Sequence, residues 1–381
     1  MTGTRADYGH LYWVLHEIAN EPALELQLVV TGAHLSTTFG HTVDQIERDG
    51  FPIARRVPFS LNNDSPVAVA ESMASVTAGL ARAFHELSPD VLVVLGDRYE
   101  VLAAAQAALI LGIPLAHLHG GETTEGAFDE AIRHAVTKMA HLHFVAADEY
   151  AERVLQLGES ADRVFNVGAP GLDHLERTPL ATRDELEAHL SLTLQSPLLV
   201  VTYHPETLDQ DDGEGGLIAM LDALDSVDAA TIVFTGVNAD PGHTSIHERI
   251  AQFITTQPQR RAMVASLGQA RYLGLLRIAD AVVGNSSSGM IEAPALRLPT
   301  INIGDRQKGR LHAASVIDAQ PNAVDIRRAL GLALDPSFRN GLPEHVSLYG
   351  LGDASTKIVE VLKTARLEGI MKKHFVDRPT A

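Results

Sequence analysis

Cysteine is missing from all 381 residues. That excludes disulfides, thiolate zinc sites and a cysteine nucleophile, and it fits a reducing compartment. Basic residues are also in short supply, 30 Lys and Arg against 48 Asp and Glu, for a net charge of −18. A surface of that sign repels nucleic acid and anionic membranes, so neither is an expected partner. A polyanionic small substrate would instead need a local basic pocket. No basic segment followed by an apolar run opens the chain, so no signal peptide is expected. The longest apolar stretch, residues 101–116, is broken by Gln106, Gly112 and Pro114 and reads as a helix running into a strand, not as a membrane span. A cytoplasmic protein is the expectation. G-x-G-x-x-G, a Walker loop and a helical H-E-x-x-H are all absent, which argues against dinucleotide, ATP and zincin chemistry.

What is present is a long alternation of strand-like and helix-like segments. The chain is long for a single core and suits two domains, with 45% apolar and 20% charged residues. Strands are expected at 26–30, 91–95, 115–118, 142–145 and 164–167, with helices at 66–87, 98–111 and 127–139 between them. After a Gly-Ala-Pro-Gly segment at 168–171, a second series begins, with strands at 198–203, 231–234, 263–266, 281–283 and 300–303. Short apolar runs separated by helices indicate parallel sheets. The expected fold is α/β, with two doubly wound Rossmann-like domains. The first spans 1–170 and is completed by a helix in 353–381; the second spans 171–352. Ligands of such sheets bind at the carboxyl ends of strands, here in the expected cleft between the domains. The acidic, Gly-containing segment 205–216 reads as a mobile loop near that cleft.

Five segments carry candidate chemistry. The loop 2–9 leads into a helix and offers backbone N–H groups plus Arg5 to an anion, although a plain surface loop reads equally well. Gly96-Asp97-Arg98-Tyr99-Glu100 follows a buried strand and sets an acid and a base at its carboxyl end; a helix cap by Asp97 is the bland reading. The densest segment is His117-Leu118-His119-Gly120-Gly121-Glu122, followed by Asp129, Glu130, Arg133 and His134. His117 and His119 alternate and would share one strand face. Glu122 and Asp129 supply the two carboxylates that proton transfer at two carbons would need. The H-x-H pairs His117/His119 and His141/His143 raise a metal site as a rival, weakened by their lying on separate strands. His204 ends the second series' first strand. Finally, Asn285-Ser286-Ser287-Ser288 at an expected helix start offers donors for a pyrophosphate, with Glu292 further along able to accept both hydroxyls of a ribose. Arg306, Lys308 and Arg310 then concentrate three cations in five residues, a basic pocket suited to a diphosphate.

Taken together and in order, these segments resemble the hydrolysing UDP-N-acetylglucosamine 2-epimerases of bacterial sialic-acid pathways, across nearly the whole chain. The resemblance implies the two-domain glycosyltransferase-B fold, with UDP held mainly by the C-terminal domain. It implies loss of the C2 proton and of UDP to give a glucal, then hydration to N-acetylmannosamine, with no metal or nicotinamide. By motif, Asp97, Glu122 and Asp129 would be the acid–base carboxylates, with His119, His134 and His204 completing the catalytic site. Arg5, Ser286, Ser287, Glu292, Arg306 and Arg310 would hold the nucleotide. It implies a homodimer or homotetramer as well. The 4-acetamido-6-deoxy analogue, UDP-diacetamidobacillosamine, shares every motif as an alternative substrate. A glycosyltransferase and a non-catalytic nucleotide-sugar sensor are further alternatives. Family members carry an apolar first strand before the Thr-Gly-Thr-Arg loop. This chain opens on the loop, so either a lost strand or a start placed too late is expected, with neighbouring strands exposed.

Overall fold

The structure, a computed structural model, describes residues 1–37, 40–58, 65–124, 128–204, 214–236, 243–264 and 267–378. The chain divides into two compact units. The first holds Met1–Glu122, Phe128–Asp173 and Gly352–Ala381; the second holds Thr123–Ala127 and His174–Leu351.

In the first unit, β1 (Leu28–Val30) and β2 (Ile53–Arg56) form a parallel pair. A four-stranded parallel sheet follows in the order β3 (Leu92–Leu95), β4 (Leu115–Leu118), β5 (Leu142–Val145) and β6 (Val164–Asn166). Every residue of β4 and β5 is buried, as expected for parallel strands covered by helices on both faces. One core joins the Pro66–Leu87 and Tyr99–Leu111 helices to this sheet through Val76, Leu80, Phe84, Val94, Val101 and Leu115. Another packs the first helix, Arg5–Asn20, and the last, Ala354–Thr364, through Leu11, Leu15, Leu118, Phe144, Ile358 and Leu362. The last helix is tied down by Asp173, whose carboxylate accepts from the backbone N–H groups of Ala354 (2.9 Å) and Ser355 (2.8 Å).

The first helix begins in a capping box: the Thr4 hydroxyl accepts from the Asp7 N–H, and the Asp7 carboxylate accepts from the Thr4 N–H. Sequence reasoning leaves the strands on either side of this loop exposed, but the N-terminal residues themselves lie there. The Thr2 N–H donates to Val29 O and Thr2 O accepts from Thr31 N–H, each at 3.0 Å, in a parallel bridge to β1. The Met1 amine donates to Val93 O of β3 at 3.0 Å. Burial lowers the pKa of that amine to about 6.

In the second unit, six parallel strands run in the order β12-β11-β10-β7-β8-β9. They are β7 (Leu198–Thr202), β8 (Thr231–Thr235), β9 (Arg261–Val264), β10 (Ala281–Gly284), β11 (Thr300–Ile303) and β12 (Val316–Ala319). Strand β9 starts two residues earlier than its apolar pattern suggests, because the Arg261 guanidinium is itself buried, with Asp225 as its partner at 2.5 Å. The order reverses between β7 and β10, so the switch point of this sheet lies at their carboxyl ends. Among the described residues, no helix is long and apolar enough to cross a membrane. Most of the acidic segment that reads as a mobile loop, 205–213, lies outside the described residues.

Candidate active site

The chemistry of the first unit gathers at the carboxyl ends of β3 and β4. His117 lies within β4, facing His143 of β5 in register, and is wholly buried. Its Nε2 is 2.8 Å from the carbonyl of Gly96 and its Nδ1 is 3.1 Å from the Thr137 hydroxyl. A carbonyl only accepts, so Nε2 carries the proton and Nδ1 accepts from Thr137. Burial pushes the imidazole pKa down to about 3, so His117 stays neutral and holds the start of the Gly96–Asp97 turn.

His119 does not share the face of His117. Strand β4 ends at Leu118, and His119 turns into the left-handed region at φ +63°. The cost is about 1–3 kcal/mol for a non-glycine residue. Two hydrogen bonds hold it there: its N–H donates to Phe144 O, and its carbonyl accepts from Arg133 Nη1, both at 2.9 Å. The turn also needs Gly121, at φ +79°, where a Cβ would come within 2.3 Å of Tyr150 O. The turn carries Glu122 back onto the histidine, with Oε1 2.5 Å from His119 Nδ1, and both side chains are buried.

Arg133 is named in the densest segment of the sequence but given no role there. It lies on the buried face of the Asp129–Met139 helix with Ile132, Val136 and Thr137, a spacing that alone reads as core. Its second arm donates to Asp97, which stands between β3 and the next helix. One guanidinium thus links the two loops. Beside it, Arg98 Nε donates to buried Glu100 at 2.9 Å, and that carboxylate raises the Arg98 pKa. Asp129 and Glu130 open the helix, where acids complement its dipole. His134 pairs with Glu130 one turn back at 2.9 Å and is not drawn into the His119 cluster. Arg5 sits in the first turn of the Arg5–Asn20 helix.

Among the described residues, no group of three or more His, Asp or Glu is arranged to hold a metal ion. One ring nitrogen of each histidine in the second H-x-H pair is committed elsewhere: His141 Nδ1 accepts from the Leu115 N–H at 3.1 Å, and His143 Nε2 meets Glu159 at 3.1 Å. Lys138 and Lys373 also donate to Glu159, each at 2.7 Å. Burial opposes ionisation of Glu159, but these partners outweigh it and hold its pKa at about 2.

In the second unit, the switch point is locked by Asn285. Its Oδ1 accepts from the His204 N–H (2.7 Å), its Nδ2 donates to His204 O (3.0 Å), and its own carbonyl accepts from Arg306 (3.1 Å) and Gln307 (2.8 Å). Burial, with Arg306 nearby, lowers the His204 pKa to about 3. Gly284, at φ +134°, precedes Asn285; a Cβ there would sit 1.9 Å from Thr202 O.

The serines do not start a long helix as the sequence suggests. Ser286 caps a single turn, Ser287–Gly289, by accepting from the Ser288 N–H, and a separate four-residue helix, Glu292–Ala295, follows. Pro294 explains the break, because its ring cannot share a helix with the carbonyl four residues earlier. The Tyr272 hydroxyl donates to Ser288 at 2.6 Å, and burial together with Glu292 raises its pKa. Arg310 Nε donates to Thr123 O at 3.3 Å, also within the second unit.

Residues 16–363 match the protein family described as UDP-N-acetylglucosamine 2-epimerase. The chain is 39% identical to the GDP/UDP-N,N'-diacetylbacillosamine 2-epimerase (hydrolyzing) of Campylobacter jejuni, across 99% of this chain and 98% of that protein. It is 36% identical to the polysialic acid biosynthesis protein P7 of Escherichia coli, across 95% and 92%. In fold it is similar to the solved structure of the UDP-GlcNAc 2-epimerase from Neisseria meningitidis bound to UDP-GlcNAc, with a TM-score of 0.82 at 19% identity over 94% of this chain and 97% of that one. The α/β architecture of two parallel-sheet units is therefore of the glycosyltransferase-B type. With a family match that runs through both units and both clusters, this chain belongs to the UDP-N-acetylglucosamine 2-epimerase family.

Proposed function

We propose that the protein is a hydrolysing 2-epimerase that converts UDP-N-acetylglucosamine into UDP and N-acetylmannosamine. The observation that carries this reading is the convergence of Asp97, His119, Glu122 and Arg133 at the ends of adjacent parallel strands. Removal of the C2 proton turns the C2–H pair into a C1=C2 double bond as the C1–O bond breaks and its pair leaves with UDP. Water then adds at C1, and a proton reaches C2 from the opposite face. Two proton transfers on opposite faces require two separately placed acid–base groups, and Asp97, Glu122, Asp129 and His119 are the candidates. His134 and His204 complete the set. In the second unit, Ser286 and Ser287 would donate to the diphosphate, Arg306 and Arg310 would balance its charge, and Glu292 would accept from the ribose; Arg5 is a candidate nucleotide-binding residue on the family resemblance alone.

A second substrate has its own support. The 39% identical relative from Campylobacter jejuni is named for diacetylbacillosamine, and the C2 chemistry is the same whichever group sits at C4. Incubation of the protein with each UDP-sugar in deuterated water, followed by proton NMR, decides between them. Free UDP with C2-deuterated product from one sugar alone identifies the substrate. UDP binding without turnover of either points to a nucleotide-sugar sensor, and turnover only with an acceptor points to a glycosyltransferase. A homodimer or homotetramer in the cytoplasm belongs to the same proposal on the strength of the family resemblance, and light scattering on the purified protein reads the assembly.

A further inference from the structure

We infer that His119 is the base that takes the C2 proton and that Glu122 acts through it, not on the sugar; this rests on the function proposed above. Glu122 Oε1 lies 2.5 Å from His119 Nδ1, and an ionised carboxylate only accepts. Nδ1 therefore carries the proton, and the basic lone pair is at Nε2. That nitrogen is shielded from water and has no hydrogen-bond partner among the described residues. His117 is the contrast, two positions earlier on β4, with both ring nitrogens satisfied and a structural task.

The surroundings fix the ring and set a carboxylate against it. The backbone of His119 is held by Phe144 O and Arg133 Nη1 in a conformation that histidine seldom adopts. Among the described residues, the charged and titratable groups around it include Glu122 from its own loop, Arg133 from the Asp129–Met139 helix, His117 from β4 and His10 from the Arg5–Asn20 helix, whose ring centroid is 6.0 Å away. Of these, only Glu122 is anionic, and it touches the imidazole itself. In the step, Nε2 accepts the C2 proton, the C2–H pair becomes the C1=C2 double bond, and the C1–O pair leaves with UDP. The imidazolium left behind is neutralised by Glu122. Glu122 is thus a positioning and charge-balancing residue, and His119 the catalytic one.

Two experiments test this, one of them independent of turnover. In ¹⁵N-histidine-labelled resting protein, long-range proton–nitrogen NMR should find His119 protonated at Nδ1 when neutral, and E122Q should raise the share of the Nε2–H tautomer. Protonation at Nε2, or a tautomer balance unmoved by E122Q, overturns the dyad. In the activity arm, H119A should lose UDP release and C2 deuterium exchange by about 1,000-fold or more, with melting temperature and UDP binding retained, and should recover partly with added imidazole. E122Q should lose less, about 10- to 100-fold, with the loss in kcat and little change in KM. If E122Q is as inactive as H119A and is rescued by formate, Glu122 is the base and the inference fails. Failure of the wild-type protein on both UDP-sugars would sink the functional reading and the step with it, while the NMR arm still decides the pairing.

Discussion

Arg133 fixes Asp97 from a different element: its guanidinium donates to the Asp97 carboxylate with one arm and to the carbonyl of His119 with the other. The Arg133 side chain is 3% exposed and that of Asp97 18%. Two loops that follow separate strands are therefore held at one spacing by a planar fork, a job that a lysine does not do. R133K should keep most of the stability but lower kcat/KM about 100-fold, through misplacement of the acid–base groups. R133M, which strands a largely buried carboxylate, should also cost about 3 kcal/mol in urea denaturation. Wild-type activity in R133K would show that the fork is not needed.

Buried neutral histidines make acid destabilising. His117 has its pKa lowered to about 3 and His34 to about 4, both chiefly by burial, against about 6.5 when unfolded. The unfolded chain binds these protons first as pH falls. The stability is therefore complete above pH 6.5 and drains away as pH drops toward 3 to 4, by about 1.4 kcal/mol per pH unit for each group. Melting temperature should fall between pH 7 and 5, and H117N should flatten that slope by one proton's worth. An unchanged slope in H117N would count against a neutral, buried His117.

Asp173 holds the returning helix by accepting from Ala354 N–H, Ser355 N–H and the Ser355 hydroxyl. D173A leaves these buried donors without a partner and should cost about 2 kcal/mol. Limited proteolysis should then cut within 352–366 well before the rest of the chain. Equal cleavage in wild type and variant would show that the helix is held by its apolar face alone.

Glycine has opposite meanings at two positions in the second unit. G284A would drive a Cβ against Thr202 O, and the variant should be insoluble or melt far below wild type. Gly331, inside the Ala323–Ala333 helix, has nothing within 4 Å of a Cβ. G331A should stabilise by about 0.5–1 kcal/mol, and calorimetry on both variants reads the contrast.

Tyr272 reaches the serine turn from the Gly268–Ile278 helix through its bond to Ser288. Y272F should weaken UDP binding several-fold by calorimetric titration, with little change in melting temperature. Unaltered UDP affinity would separate Ser288 from the nucleotide site.

The architecture was legible in the sequence because short, apolar, doubly covered strands and the helices between them have no other stable arrangement than parallel sheets. The motifs were legible too, since Gly-Gly-Glu, Gly-Asp-Arg and the serine run each follow a strand end, where a parallel sheet presents its loops. What the chain's periodicity could not convey was decided by tertiary contacts. His119 leaves the strand register because Phe144 O and Arg133 hold its backbone left-handed, so the alternation that pairs it with His117 ends one residue early. Arg133 stands in the densest segment of the sequence, but its role as the link between two loops exists only once the loop bearing Asp97 folds against it. The serine run keeps a single turn because Pro294 interrupts the helix that three hydroxyls suggested. Local pattern specifies which elements form. Which nitrogen of which histidine remains available depends on hydrogen bonds between residues 3 to 21 positions apart, and only the folded chain brings those together.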